Sequence, residues 1–111
     1  MNFRYATRKL EKSVDQRNIR KNFGDQCARK IVQRLSEIMS ASNLAELGIL
    51  PGPRCHELKG GRSGHFAVDI KHPMRLVFKP DHDAPPLKDD GGIDWSKIEN
   101  IIITEIKDYH K

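Results

Sequence analysis

Two different apolar periods divide the chain. From Phe23 the apolar positions recur in steps of three and four, through Cys27, Ile31, Leu35 and Ile38, with Ala28, Val32 and Met39 beside that stripe. Such spacing covers one face of an α-helix. Arg29, Lys30, Gln33, Arg34 and Glu37 fall largely on the other face. Gly24 costs a helix about 1 kcal/mol relative to Ala, so the first turns are expected to be bent or separate. Ser13 and Gln16 stand in capping-box register, which predicts a helix start near them. Residues 40–43 end the long helix. Ser42 then caps a short one over residues 44–47, stopped by Gly48.

Pro51-Gly52-Pro53 is a break, and after it the period becomes two. Residues 54–58 predict a strand, and Gly60-Gly61-Arg62-Ser63-Gly64 a turn. Over residues 65–70, Phe66, Val68 and Ile70 point inward while His65, Ala67 and Asp69 point outward. Lys71-His72-Pro73 makes a second turn. The next strand, residues 74–79, puts Leu76 and Phe78 on one face and Arg75, Val77 and Lys79 on the other. At the other end of the chain, residues 2–6 alternate with Phe3 and Tyr5 on one side, as in a short edge strand. Residues 80–99 form a polar loop in which Asp94 caps one helical turn. Residues 101–106 are apolar on both faces, as a central strand should be. The expected architecture is α+β: N-terminal helices packed on a twisted, mostly antiparallel sheet, with residues 1–111 forming one domain.

Charge sharpens this picture once it is divided along the chain. The net charge is +5, distributed as +6 over residues 1–41, +4 over residues 54–79 and −4 over residues 80–99. A basic chain with one acidic segment suits a polyanionic or acidic partner. No apolar run approaches the roughly 20 residues of a membrane span. The first nine residues lack the apolar core of a secretory signal, so a cytoplasmic protein with no membrane attachment is expected. Cys27 and Cys55 make no C-x-x-C pair and read as reduced core thiols.

Phosphate-binding glycine loops, nucleophile elbows and H-E-x-x-H motifs are absent. The histidines at 56, 65, 72, 82 and 110 show no metal-ligand spacing. Asp81, Asp83, Asp89 and Asp90 lack EF-hand order and read as a solvated acidic loop. No metal or cofactor is therefore expected. What remains is a set of His, Lys, Arg and Tyr side chains that neighbouring strands would gather on one face: His56, Lys59, Arg62, Lys71, Arg75, Tyr109 and His110. Cleavage of RNA by its own 2′-hydroxyl needs such a set. It requires a base near that oxygen, cations around the phosphoryl group and an acid at the leaving 5′-oxygen. Histidine serves as either acid or base, and an aromatic ring stacks on an unpaired base.

In this order and spacing the chain resembles the RelE/ParE superfamily of bacterial toxins, and within it the HigB-like killer-protein branch. The resemblance covers nearly the full length. It is carried by Phe3, Arg8-Lys9-Leu10-Glu11-Lys12 and Phe23-Gly24. Its strongest part is Leu50-Pro51-Gly52-Pro53-Arg54-Cys55-His56-Glu57-Leu58-Lys59-Gly60. Arg62, Gly64-His65-Phe66-Ala67-Val68-Asp69 and His72-Pro73-Met74-Arg75-Leu76-Val77-Phe78 continue it. Asp89-Asp90-Gly91-Gly92-Ile93-Asp94-Trp95-Ser96 and the ending Glu105-Ile106-Lys107-Asp108-Tyr109-His110 complete it.

The resemblance implies a RelE-like fold and a ribosome-dependent endoribonuclease that cuts messenger RNA in the ribosomal A site. It implies a cognate HigA-like helix-turn-helix antitoxin, through which alone the complex contacts operator DNA. The implied catalytic residues are His56, Lys59, Arg75, Asp108, Tyr109 and His110. Arg54, Arg62, Lys71 and Lys79 are the implied contacts to RNA or ribosome. The chain departs from the family at Gly61, where Asp or Asn often precedes the Arg, and at Met74, where an aromatic is frequent. Lys111 extends past the usual terminal His. Two other functions share the resemblance: a ParE-like inhibitor of DNA gyrase, and a degenerate module kept for antitoxin binding. ParE-like chains generally lack the Lys, Arg and terminal Tyr-His combination found here.

Overall fold

The computed structural model describes residues 1–108. Strand β1, Asn2–Tyr5, alternates exposed and half-buried residues, and the rings of Phe3 and Tyr5 meet edge to face at 5.6 Å. Helix α1, Arg8–Ser13, is capped by the Thr7 hydroxyl, which accepts from the Leu10 amide at 3.1 Å. Ser13 thus ends a helix, where the capping-box register predicted a start. Helix α1 buries none of its side chains, so it leaves no apolar stripe to read.

Helix α2, Ile19–Ser40, carries the predicted stripe and breaks at Gly24, whose φ of 78° and ψ of 166° lie outside the helical region. That conformation belongs essentially to glycine. The break therefore sits at a backbone conformation that an alanine would adopt only with strain. Arg34 corrects the amphipathic reading: it is 4% exposed, although its sequence position is on the polar face. Conversely, Val32 and Met39 beside the stripe are 53% and 63% exposed. Helix α3, Leu44–Ile49, is capped by Asn43 rather than Ser42, its side chain accepting from the Glu46 amide at 3.0 Å. It runs through Gly48, which lies against the Trp95 ring.

Four further strands follow: β2, His56–Glu57; β3, Phe66–Asp69; β4, Met74–Pro80; and β5, Asn100–Asp108. The sheet order is β1-β5-β4-β3-β2, with β1 parallel to β5 and the other pairs antiparallel. The predicted central strand is thus central. Strand β2 is shorter than predicted because Arg54 sits at φ 49°, a left-handed backbone that ends extended pairing. Helices α2 and α3 cover one sheet face. Ile31, Ile38, Leu44 and Leu47 pack there with Phe66, Val68, Leu76, Phe78, Ile103 and Ile106. Phe66 stacks on Phe78 at 5.7 Å and takes the Trp95 edge at 5.1 Å.

In the acidic segment Asp94 caps the turn Trp95–Lys97, as predicted, and Leu87 also bridges to Ile93. Arg4 anchors its start through Asp81 at 2.9 Å, a contact that raises the arginine pKa and lowers the aspartate one. Among the described residues, no helix is long and apolar enough to cross a membrane.

Candidate functional site

The sheet face turned away from the helices carries the candidate chemistry. Its register fixes which side chains are neighbours, because residues directly opposite on paired strands share a face. His56 pairs with Ala67, Ala67 with Val77, and Val77 with Glu105, giving one row across four strands. Asp69, Arg75 and Lys107 make the next row. Leu58, Ala67 and Val77 form a small buried cluster, separate from the main core. The positions predicted to face outward at 67 and 77 are therefore fully buried, forming a dry floor between charged residues.

Cations surround this floor, and two carboxylates brace them. Arg62, in the 3₁₀ turn Gly60–Arg62, donates to the Glu105 carboxylate from one side. Lys107 approaches the same carboxylate at 3.2 Å. Burial pulls the Glu105 carboxyl up, but the hydrogen bonds and charges of Arg62 and Lys107 outweigh it and hold the group below its ordinary range. Arg54 pairs with Asp69 at 3.4 Å. Lys59 is exposed at the entry of the 3₁₀ turn, and half-buried Arg75 lies between Asp69 and Lys107 in register. His56 is exposed at the edge, its Nδ1 placed 2.8 Å from the Arg54 main-chain oxygen.

The structure thus gathers His56, Arg62, Arg75 and Arg54 around one face, with Lys59 at its rim. Lys79 is on the same face, two alternations along β4, about 13 Å from Arg75 by strand rise. Lys71 is elsewhere. Its ammonium donates to the Gln26 side chain of α2, in a groove shared with Arg29, Lys30 and Gln33. Asp108 pairs with Met74 and by alternation falls on the side of Ile106, opposite Arg75. Tyr109 and His110 lie outside the described residues. Glu105 and Lys107 join the site in the structure without being candidates by sequence. The outward position of Lys107 beside buried Ile106 is a visible signal, but its pairing with Arg75 depends on register.

Burial pushes the Cys55 thiol up to about 12, and Cys27 and Cys55 are both free thiols. Among the described residues, no group of three or more His, Cys, Asp or Glu side chains is placed to hold a metal ion.

No protein-family model matches the chain, and no curated protein does. Solved structures do match. The chain is similar to the YoeB-YefM complex from Staphylococcus aureus at TM-score 0.56 and 16% identity, over 96% of this chain and 94% of that one. It is similar to a YoeB/ParE toxin from Agrobacterium tumefaciens at TM-score 0.58 and 10% identity, over 96% of each chain. The chain therefore shares the fold of these two structures: helices on one face of a five-stranded, mostly antiparallel sheet.

Proposed function

We propose that this chain is the toxin of a type II toxin–antitoxin system, of the HigB-like branch, and cuts messenger RNA in the ribosomal A site. The observation that carries the reading is the row of Arg75 and Lys107 beside the row of His56, Ala67, Val77 and Glu105, on the open face of a toxin-type sheet. Guanidinium and ammonium groups gathered on one face suit a phosphodiester whose charge grows during the reaction.

Lys59 and Arg75 hold the scissile phosphate. His110 exchanges the proton, Tyr109 positions a base, and His56 is the second acid or base; Asp108, on the opposite side of β5 from Arg75, assists only by orienting His110. Arg54, Arg62, Lys71 and Lys79 contact RNA or ribosome. The chemistry asks for no metal or cofactor. Residues 1–111 act as one cytoplasmic domain, silenced by a HigA-like helix-turn-helix antitoxin that alone contacts operator DNA. One of the similar folds is a toxin–antitoxin complex, which supports the antitoxin part of the reading.

The test is cleavage of a ribosome-bound messenger in a purified translation system. The parent should cut, while folded Arg75→Ala and His110→Ala should lose at least about a hundredfold, the usual scale for removing an acid–base or charge-stabilising group. Folded variants that cut as fast as the parent would remove these roles.

A further inference from the structure

We propose that Arg54 is a positioning residue for His56: its main-chain carbonyl holds the ring in the Nδ1–H tautomer and leaves Nε2 as the atom that exchanges a proton. The catalytic half of this statement rests on the function proposed above. The tautomer rests on geometry alone.

A carbonyl oxygen has no proton to give, so the 2.8 Å contact is a hydrogen bond only if Nδ1 donates. In a neutral imidazole the other nitrogen then carries the lone pair. Nδ1–H is retained when Nε2 gains a proton, so the Arg54 oxygen remains a suitable acceptor in both charge states. The ring exchanges its proton without turning over.

The carbonyl reaches this place because Arg54 has a left-handed backbone, φ 49°. An arginine adopts that region only where its surroundings over-determine it. Here three successive residues are tied to the end of β3 or to α2. The Arg34 guanidinium, 4% exposed, donates to the Gly52 oxygen at 3.1 Å and to the Asp69 oxygen at 2.6 Å. The Pro53 oxygen accepts from the Asp69 amide at 2.7 Å. The Arg54 side chain pairs with the Asp69 carboxylate at 3.4 Å. A buried clamp on α2 is thereby connected, through the Pro51-Gly52-Pro53 break, to the ring of an exposed histidine.

Nitrogen-15 NMR of the labelled full chain, followed across a pH series, reads the tautomer of the neutral ring directly. His56 should show Nδ1–H and a bare Nε2. Arg54→Gly keeps the left-handed backbone at no steric cost and should keep that pattern. Arg54→Val disfavours it and should give a tautomer mixture. Both variants lack the guanidinium, so their difference reports on the backbone. Arg54→Val should fall about tenfold further in kcat than Arg54→Gly, with KM the same in the two. His56→Asn places an amide donor where Nδ1 stood and nothing where Nε2 stood. It should fold and lose at least a hundredfold in cleavage. An Nε2–H parent, a folded Arg54→Val with the parent's tautomer, or an active His56→Asn overturns the proposal. If Arg54→Val fails to fold, the parent's tautomer and His56→Asn still decide it. A parent that cuts no RNA yet shows Nδ1–H removes the function proposed above and leaves the tautomer standing.

Discussion

Arg34 of helix α2 donates from Nε to the main-chain oxygen of Asp69 at 2.6 Å, joining the helical layer to the end of β3. Its other nitrogens reach the Glu37 carboxylate at 2.8 Å and the Gly52 oxygen at 3.1 Å. Removing one partner from a buried charged network leaves the others unsatisfied, at a cost of about 3–5 kcal/mol. Because Glu37 is partly open to water, Arg34→Met should lose about 3 kcal/mol in urea unfolding, near the low end of that range. A loss under about 0.5 kcal/mol, the scale of ordinary surface changes, would contradict the clamp.

Gly48 tests the packing of α3. A Cβ there would stand 2.9 Å from Trp95 Cζ3 and 3.2 Å from Cε3. Trp95 is half-buried and already meets the Phe66 ring edge to face, so moving it costs that contact. Alanine gains about 1 kcal/mol in helix propensity, but overpacking costs about 1–3 kcal/mol. Gly48→Ala should therefore be destabilising by up to about 2 kcal/mol, and Trp95→Phe in the same chain should recover part of that. A stabilised Gly48→Ala would show that the ring moves freely.

Glu105 links stability to pH. Its carboxyl lies below the ordinary range in the folded chain, despite burial, because of Arg62 and Lys107. The unfolded chain binds the proton more readily, so this contribution is present above the ordinary glutamate pKa of about 4.3 and fades as pH falls through the folded value. Near neutrality the parent should exceed Glu105→Gln by no more than about 1 kcal/mol, because the group is partly solvated. The gap should close in acid titration of the unfolding midpoint. The same variant frees Arg62 and Lys107, so its affinity for single-stranded RNA should rise about threefold, with a steeper salt dependence. Unchanged affinity would mean that these cations do not face RNA.

Cys55 should resist alkylation. With its thiol pushed up to about 12 by burial, almost none is thiolate near neutrality, and the thiolate is the nucleophile. Iodoacetamide labelling followed by peptide mass spectrometry should run at least about a hundredfold slower in the folded chain than in the urea-unfolded chain. Equal rates would place Cys55 in solvent.

The parts legible in the sequence are those where a local rule met no competitor. Phe66, Val68 and Ile70 alternate because one sheet face is buried by helices, and Asp94 caps a turn with its own side chain. Ile101, Ile102 and Ile103 are all buried, as expected of an inner strand covered on both faces. Illegible parts depend on tertiary partners. Ala67 and Val77 look outward by period but are sealed by Leu58. Arg34 looks exposed by period but finds two carbonyls. The site was legible as residue types, His56, Arg62 and Arg75, while the neighbourhood of Arg75 with Lys107 required the register. Lys71 shares their residue type, but the turn directs it to Gln26.

Whether the chain cuts messenger RNA during translation is read most simply in living cells. The chain is induced alone in a bacterial host and new 5′-hydroxyl RNA ends are sequenced, beside a His110→Ala control. An interferase gives new ends within translated codons, absent from the control. Growth arrest without new ends would contradict it and favour a gyrase inhibitor. Neither arrest nor new ends would contradict it in favour of an antitoxin-binding module.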